Sequence, residues 1–124
     1  MTMRDSIAAA RISGPLELPD GTTSFEFRFG ADDPTFAGHF PNRPVLPGVF
    51  QIEMTRVAAE SILKRSLALR EISKAKFLRP IVPEEMVRLD LKLSEQEDTI
   101  RARAHFSVGG QPAGETVLLL WRND

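Results

Sequence analysis

Between Gly30 and Gly48 the chain carries Pro34, Pro41, Pro44 and Pro47, and no other feature limits its folding as severely. Each proline fixes φ and removes an N–H donor, so this stretch is neither a helix nor a central strand. A loop of that length in a small chain is expected to be functional or disordered. Phe36, Phe40, Val45 and Leu46 within it favour an ordered, packed loop. The texture then reverses at once. From Val49 to about Leu69 there is no Gly or Pro, and Ala, Leu, Glu, Arg and Met predict a long helix. Val49, Ile52, Glu53, Arg56 and Val57 share one face, and Phe50, Met54, Ala58, Ser61 and Ile62 share another. With apolar residues around most of the first turns, the helix is expected to be largely buried.

The rest of the chain alternates with the period of a strand. Phe25, Phe27 and Phe29 lie opposite Ser24, Glu26 and Arg28, after a turn at Pro19-Asp20-Gly21. A strand over Ile72–Phe77 ends at the prolines of Arg79-Pro80-Ile81-Val82-Pro83. Val87, Leu89, Leu91 and Leu93 alternate with Arg88, Asp90 and Lys92; Ala102, Ala104, Phe106 and Val108 alternate with Arg101, Arg103, His105 and Ser107. Gly109-Gly110 reads as a hairpin turn, and Thr116–Trp121 as an apolar central strand. Hairpin-length connections imply an antiparallel sheet, with the single helix covering its apolar face. The fold class is therefore α+β.

At 124 residues a single domain, residues 1–124, is the natural reading. Sixteen basic and seventeen acidic side chains leave a net charge of −1, which gives no general attraction to nucleic acid or an anionic membrane. Cysteine is absent, which excludes disulfides, thiol catalysis and Cys-ligated metal; His39 and His105 are the only histidines, so no metal site is expected. No apolar run approaches the ~20 residues of a membrane span, and the N-terminal residues lack a signal-peptide core. Cytoplasm is the expected compartment.

The segment Phe36-Ala37-Gly38-His39-Phe40-Pro41-Asn42-Arg43-Pro44-Val45-Leu46-Pro47-Gly48-Val49 resembles the signature of the bacterial β-hydroxyacyl-acyl carrier protein dehydratases of the FabZ type. Gln51-Ile52-Glu53 and Lys74-Ala75-Lys76-Phe77-Leu78-Arg79-Pro80-Ile81-Val82-Pro83 extend the resemblance, which weakens after Leu93. It implies a hotdog fold, in which a bent antiparallel sheet wraps one helix. It also implies dehydration of a 3-hydroxyacyl thioester without a cofactor, with His39 and Glu53 as the catalytic pair. Phe40, Pro47, Gly48, Val49 and Val57 would then border the substrate. The family assembles as a homodimer, with a trimer of dimers as the larger form, and each site takes His39 from one subunit and Glu53 from the other.

The same residues suit that chemistry on their own terms. Elimination needs a base for the C2 proton, an acid for the departing hydroxyl and a polariser for the thioester carbonyl. Histidine suits the base, because its ordinary pKa lies near neutrality. A carboxylate on an apolar helix face is expected to have a raised pKa and to donate a proton. The amides near Gly48 and Val49, at a helix N-terminus, suit a carbonyl turning enolate-like, and Gly48 lets a ligand come close to the backbone. Taken singly, Glu53 could simply pair with Arg56 one turn on, and His105 reads as a surface residue.

There are departures from the family pattern. Met54-Thr55-Arg56-Val57 replaces the family's Ala and Ala-Gln after the carboxylate, and Val57 cannot form the hydrogen bond of that glutamine. Asn42 replaces a glycine, and the family's opening stretch is missing. These changes favour a specialised pathway, polyketide-like or aryl-polyene, over housekeeping fatty-acid synthesis. A hotdog thioesterase using Glu53 and a non-catalytic acyl-binding hotdog are the alternatives. Lys64, Arg65, Arg70, Lys74, Lys76 and Arg79, with Glu71 the sole acid among them, form a local basic excess. Arg70, Lys74, Lys76 and Arg79 are the expected contact for an acidic acyl carrier protein.

Overall fold

The computed structural model describes residues 2–36 and 44–122. Helix α1 (Met3–Ala10) leads into β1 (Arg11–Glu17) and β2 (Thr23–Phe27); α2 (Gly48–Leu63) is followed by β3 (Leu67–Phe77), β4 (Val87–Gln96), β5 (Thr99–Val108) and β6 (Gln111–Arg122). The six strands form one sheet in the order β1-β2-β4-β5-β6-β3, and every neighbouring pair is antiparallel. One long helix on one antiparallel sheet is the expected α+β hotdog arrangement.

Alternation sets the core. Phe25, Phe27, Val87, Leu89, Leu91, Ile100, Phe106, Leu118 and Leu120 all point to the helix side and are buried, while Arg88, Arg101, Arg103 and His105 lie on the outer face. Gly109 and Gly110, with φ of 58° and 80°, close a two-residue hairpin between Val108 and Gln111. Positive φ at both positions is what a type I′ turn demands.

Helix α2 meets the sheet along Phe50, Gln51, Met54, Thr55, Ala58 and Ala59. Its other stripe, with Ile52, Glu53, Arg56, Val57 and Glu60, remains partly open, and Val49 is 51% exposed. The helix is thus half-buried rather than largely buried, because a single sheet covers one side of a cylinder. Thr55 Oγ1 donates to the Gln51 carbonyl at 2.8 Å and lies 2.7 Å from Thr116 Oγ1, so two buried hydroxyls pair across the helix–sheet seam.

Helix α2 and strand β3 differ from the sequence expectation, and α1 and β1 were not anticipated. Helix α2 ends at Leu63, not near Leu69, with Lys64 in the left-handed region (φ 56°, ψ 45°). No Gly or Pro marks this stop. Instead, the Glu60 carboxylate accepts from Leu67 N–H at 2.8 Å and Arg56 donates to the Leu67 carbonyl at 2.8 Å, folding the chain back over the last turn. Strand β3 accordingly begins at Leu67 rather than Ile72. Helix α1 opens with a capping box, in which Thr2 Oγ1 accepts from Asp5 N–H and Asp5 accepts from Thr2 N–H. Strand β1 after it is an edge strand with almost no buried positions, so it carries no apolar alternation to read.

Gly114 sits where β6 passes Gln51. A Cβ there would overlap the buried Gln51 Oε1 and reach 3.0 Å from the Lys76 carbonyl. Gly114→Ala is expected to destabilise by about 1–3 kcal/mol through overpacking, read as a Tm several degrees lower. Gln51→Ala in the same chain should recover part of that loss; a Gly114→Ala variant melting like the wild type would show that the seam has slack.

Candidate active site

The proline loop is pinned at both described ends. Phe36 is buried, and Leu46, also buried, donates its N–H to the Ile81 carbonyl at 2.7 Å. Residues 30–36 are tied to the second proline segment by Glu84, whose N–H donates to the Phe29 carbonyl (2.8 Å) and whose carboxylate accepts from Ala31 N–H (2.9 Å). Pro44, Val45, Arg79, Pro80, Val82 and Pro83 line an open cleft of about 420 Å³ between the two proline segments. His39 and Phe40 lie outside the described residues.

Pro47 precedes the first turn of α2 in an extended conformation (φ −60°, ψ 142°) and provides no side-chain cap. Phe50 N–H turns back to the Pro47 carbonyl at 2.9 Å, and among the described residues the Gly48 and Val49 amides meet no acceptor, as first-turn donors do. Gly48 has a packing reason of its own. A Cβ there would come within 2.7 Å of the Phe77 ring, so the glycine admits Phe77 from β3, where close approach of a ligand was the expectation.

Glu53 lies one turn further on and 20% exposed, on the outward stripe of α2. It shares that stripe with Ile52 and Val57 as well as with Arg56 and Glu60. Arg56 Nε donates to its Oε2 at 3.1 Å, Arg56 Nη2 donates to its Oε1, and Arg4 of α1 lies 3.9 Å from Oε1. Arg4 also pairs with Glu60 at 2.7 Å, and Arg56 lies 3.5 Å from Glu60. The stripe therefore carries two carboxylates interleaved with two arginines. Arg4 and Glu60 were missed from the sequence; the spacing Glu53, Arg56, Glu60 hinted at the helix part, whereas Arg4 arrives only through the packing of α1. Val57 borders a shallow cleft of about 390 Å³ with Arg4, Glu60, Ser61, Arg65 and Ser66.

The basic residues do not form one cluster. Arg70 stacks over the Trp121 ring at 4.7 Å, Lys74 pairs with Glu115 at 2.7 Å, and Arg79 pairs with Glu85 at 2.7 Å. Arg70 lies within β3, whereas Arg79 stands two residues beyond its end. Lys76 lies between them, opposite Glu115 in the register. His105 faces outward, 3.7 Å from Glu115 and far exposed, as a surface residue should be.

The family model described as ApeI dehydratase matches residues 17–115, a span that contains both His39 and Glu53. The chain belongs to the ApeI-like dehydratase family. Among curated relatives, this dehydratase is 33% identical over 113 residues to the 3-hydroxyacyl-[acyl-carrier-protein] dehydratase FabZ of Pelotomaculum thermopropionicum, covering 84% of this chain and 81% of that one. It is 37% identical over 97 residues to the FabZ of Desulforamulus reducens, covering 72% and 68%. Its fold superposes with a TM-score of 0.73 on a chain of the dehydratase heterocomplex ApeI:P from Xenorhabdus doucetiae, at 24% identity and over 90% of this chain and 96% of that one. Among the described residues no group of His, Asp and Glu is placed to hold a metal ion, and no helix is long and apolar enough to cross a membrane.

Burial pushes the Glu60 carboxyl up, but hydrogen bonds from Arg4 and Leu67 N–H and the charges of Arg4 and Arg56 more than reverse this, leaving its pKa lowered. A carboxyl that titrates lower in the folded chain stabilises fully above the ordinary carboxylate range and loses that contribution as pH falls through the lowered value. Glu60→Gln is therefore expected to cost on the order of 1–3 kcal/mol near neutral pH. Melting curves across pH should show the wild type and the variant converging in acid; a constant gap would mean that the Glu60 charge is irrelevant.

Proposed function

We propose that this dehydratase removes water from a 3-hydroxyacyl chain carried on an acyl carrier protein, in synthesis of the fatty-acid or polyketide type. His39 takes the proton from C2, the electron pair forms the C2–C3 double bond, and the C3–O bond breaks. The oxygen leaves as water with a proton from Glu53. The open Gly48 and Val49 amides at the start of α2 receive the thioester oxygen as it gains charge. Phe40, Pro47 and Val57 border the acyl chain. The observation that carries this reading is the position of Glu53. It stands on the outward stripe of α2, one turn past those amides, inside a family match that also spans His39. Thioester hydrolysis would leave the His39 segment without a use.

The site is completed by a second copy of the chain, in a homodimer that the family can extend to a trimer of dimers. Strand β3 supports this, because it is an eleven-residue edge strand with Leu69, Ile72 and Phe77 between 42% and 49% exposed. A long unpaired edge is a template for pairing with another chain. His39→Ala and Glu53→Gln should each lower turnover by about 10²–10⁴-fold with the fold intact. Mixing the two variants should restore activity through hybrid dimers; no recovery despite proven subunit exchange would place both residues in one chain.

The carrier docks along β3 and the second proline segment, through Arg70, Lys74, Lys76 and Arg79. Arg79 is favoured as an anchor because it stands on the rim of the proline cleft. Arg79→Glu should weaken turnover of carrier-bound substrate while leaving a short soluble thioester almost unchanged, and added salt should narrow the difference. Equal losses on both substrates would assign Arg79 to structure.

A further inference from the structure

We infer that Arg56 is the residue that positions Glu53 for catalysis, a role that deepens the reading of Glu53 as the proton donor and rests on it. An i,i+3 ion pair on a free helix contributes only a few tenths of a kcal/mol and holds neither partner still. Arg56 is different because its far side is anchored. Its Nη1 donates to the Leu67 carbonyl at 2.8 Å, a backbone acceptor in the strand that folds back after Lys64, and lies 3.5 Å from Glu60. With that end fixed, Nε and Nη2 present a planar fork to both oxygens of Glu53. The two side chains are 23% and 20% exposed, so water does not readily replace either partner.

Among the described residues, both hydrogen bonds accepted by the Glu53 carboxylate come from Arg56. Arg4, at 3.9 Å, adds charge without a hydrogen bond, and Val57 has no polar side-chain atom. A carboxylate has about four acceptor positions, so the fork fixes its plane and leaves lone pairs free for a substrate hydroxyl. Glu60 then has a defined part. Its carboxylate lies 3.5 Å from Arg56 Nη1 and keeps one anion beside the guanidinium while Glu53 holds a proton.

The test is steady-state kinetics of the dimer on a short soluble 3-hydroxyacyl thioester, which needs no carrier docking. Arg56→Ala should lower kcat by about 10–100-fold with KM nearly unchanged, as loss of an orienting partner does. Arg56→Lys keeps the charge without the fork and should fall in between. In a Glu53→Gln background, neither Arg56 variant should lower kcat further, because a residue that acts through Glu53 has nothing left to position. If melting shows that Arg56→Ala folds poorly, the comparison of Arg56→Lys with and without Glu53→Gln decides the matter. Wild-type kcat in a folded Arg56→Ala or Arg56→Lys variant overturns the inference, as does a full additional loss in the Glu53→Gln background. A Glu53→Gln enzyme with near-normal kcat would instead sink the catalytic reading of Glu53 itself.

Discussion

The stripe Phe50, Gln51, Met54, Thr55, Ala58 and Ala59 seats α2 on the sheet. Once that stripe faces the strands, the outward positions of the helix follow from its 3.6-residue period. Glu53, Arg56 and Glu60 have nowhere to go except the open side. The buried Thr55–Thr116 hydroxyl pair holds the helix against sliding, because a shift would take the Thr116 hydroxyl from its partner in the core while Thr55 kept its bond to Gln51. The seam therefore sets where the Glu53 carboxylate stands on the open side.

The same seating leaves apolar surface open. One sheet covers one side of α2, and α1 shields part of the remainder through Met3 and Arg4. Val49 and Phe77 stay exposed at the N-terminal end of α2, and Leu69 and Ile72 stay exposed further back along the β3 edge. Exposed apolar surface and an unpaired edge therefore border the candidate site. A second copy of the chain would cover both at once.

The charged stripe also serves folding. Arg56 and Glu60 both bind the backbone of Leu67, and their grip ends α2 at a position where the sequence supplies neither Gly nor Pro. The groups that turn the chain into β3 thus also hold Glu53, so the geometry of the site and the start of the edge strand are coupled through one guanidinium.

Much of this was legible in the residues. The alternation of Phe25 and Phe27, of Val87 to Leu91 and of Ala102 to Val108 dictates strands and their buried face, because side-chain direction in a strand depends on parity alone. The prolines before Gly48 and their absence after it dictate where α2 starts, and the His39 and Glu53 segments carry the family resemblance. Strand β1, the early end of α2 and the arrival of Arg4 beside Glu53 were decided by the tertiary structure. An exposed edge strand has no burial pattern to read. The stop at Leu63 depends on bonds to Leu67, and Arg4 stands fifty-six residues from its partner Glu60. Local periodicity records what each residue does to its neighbours in the chain, whereas an ion pair between distant elements exists only once packing has brought them together.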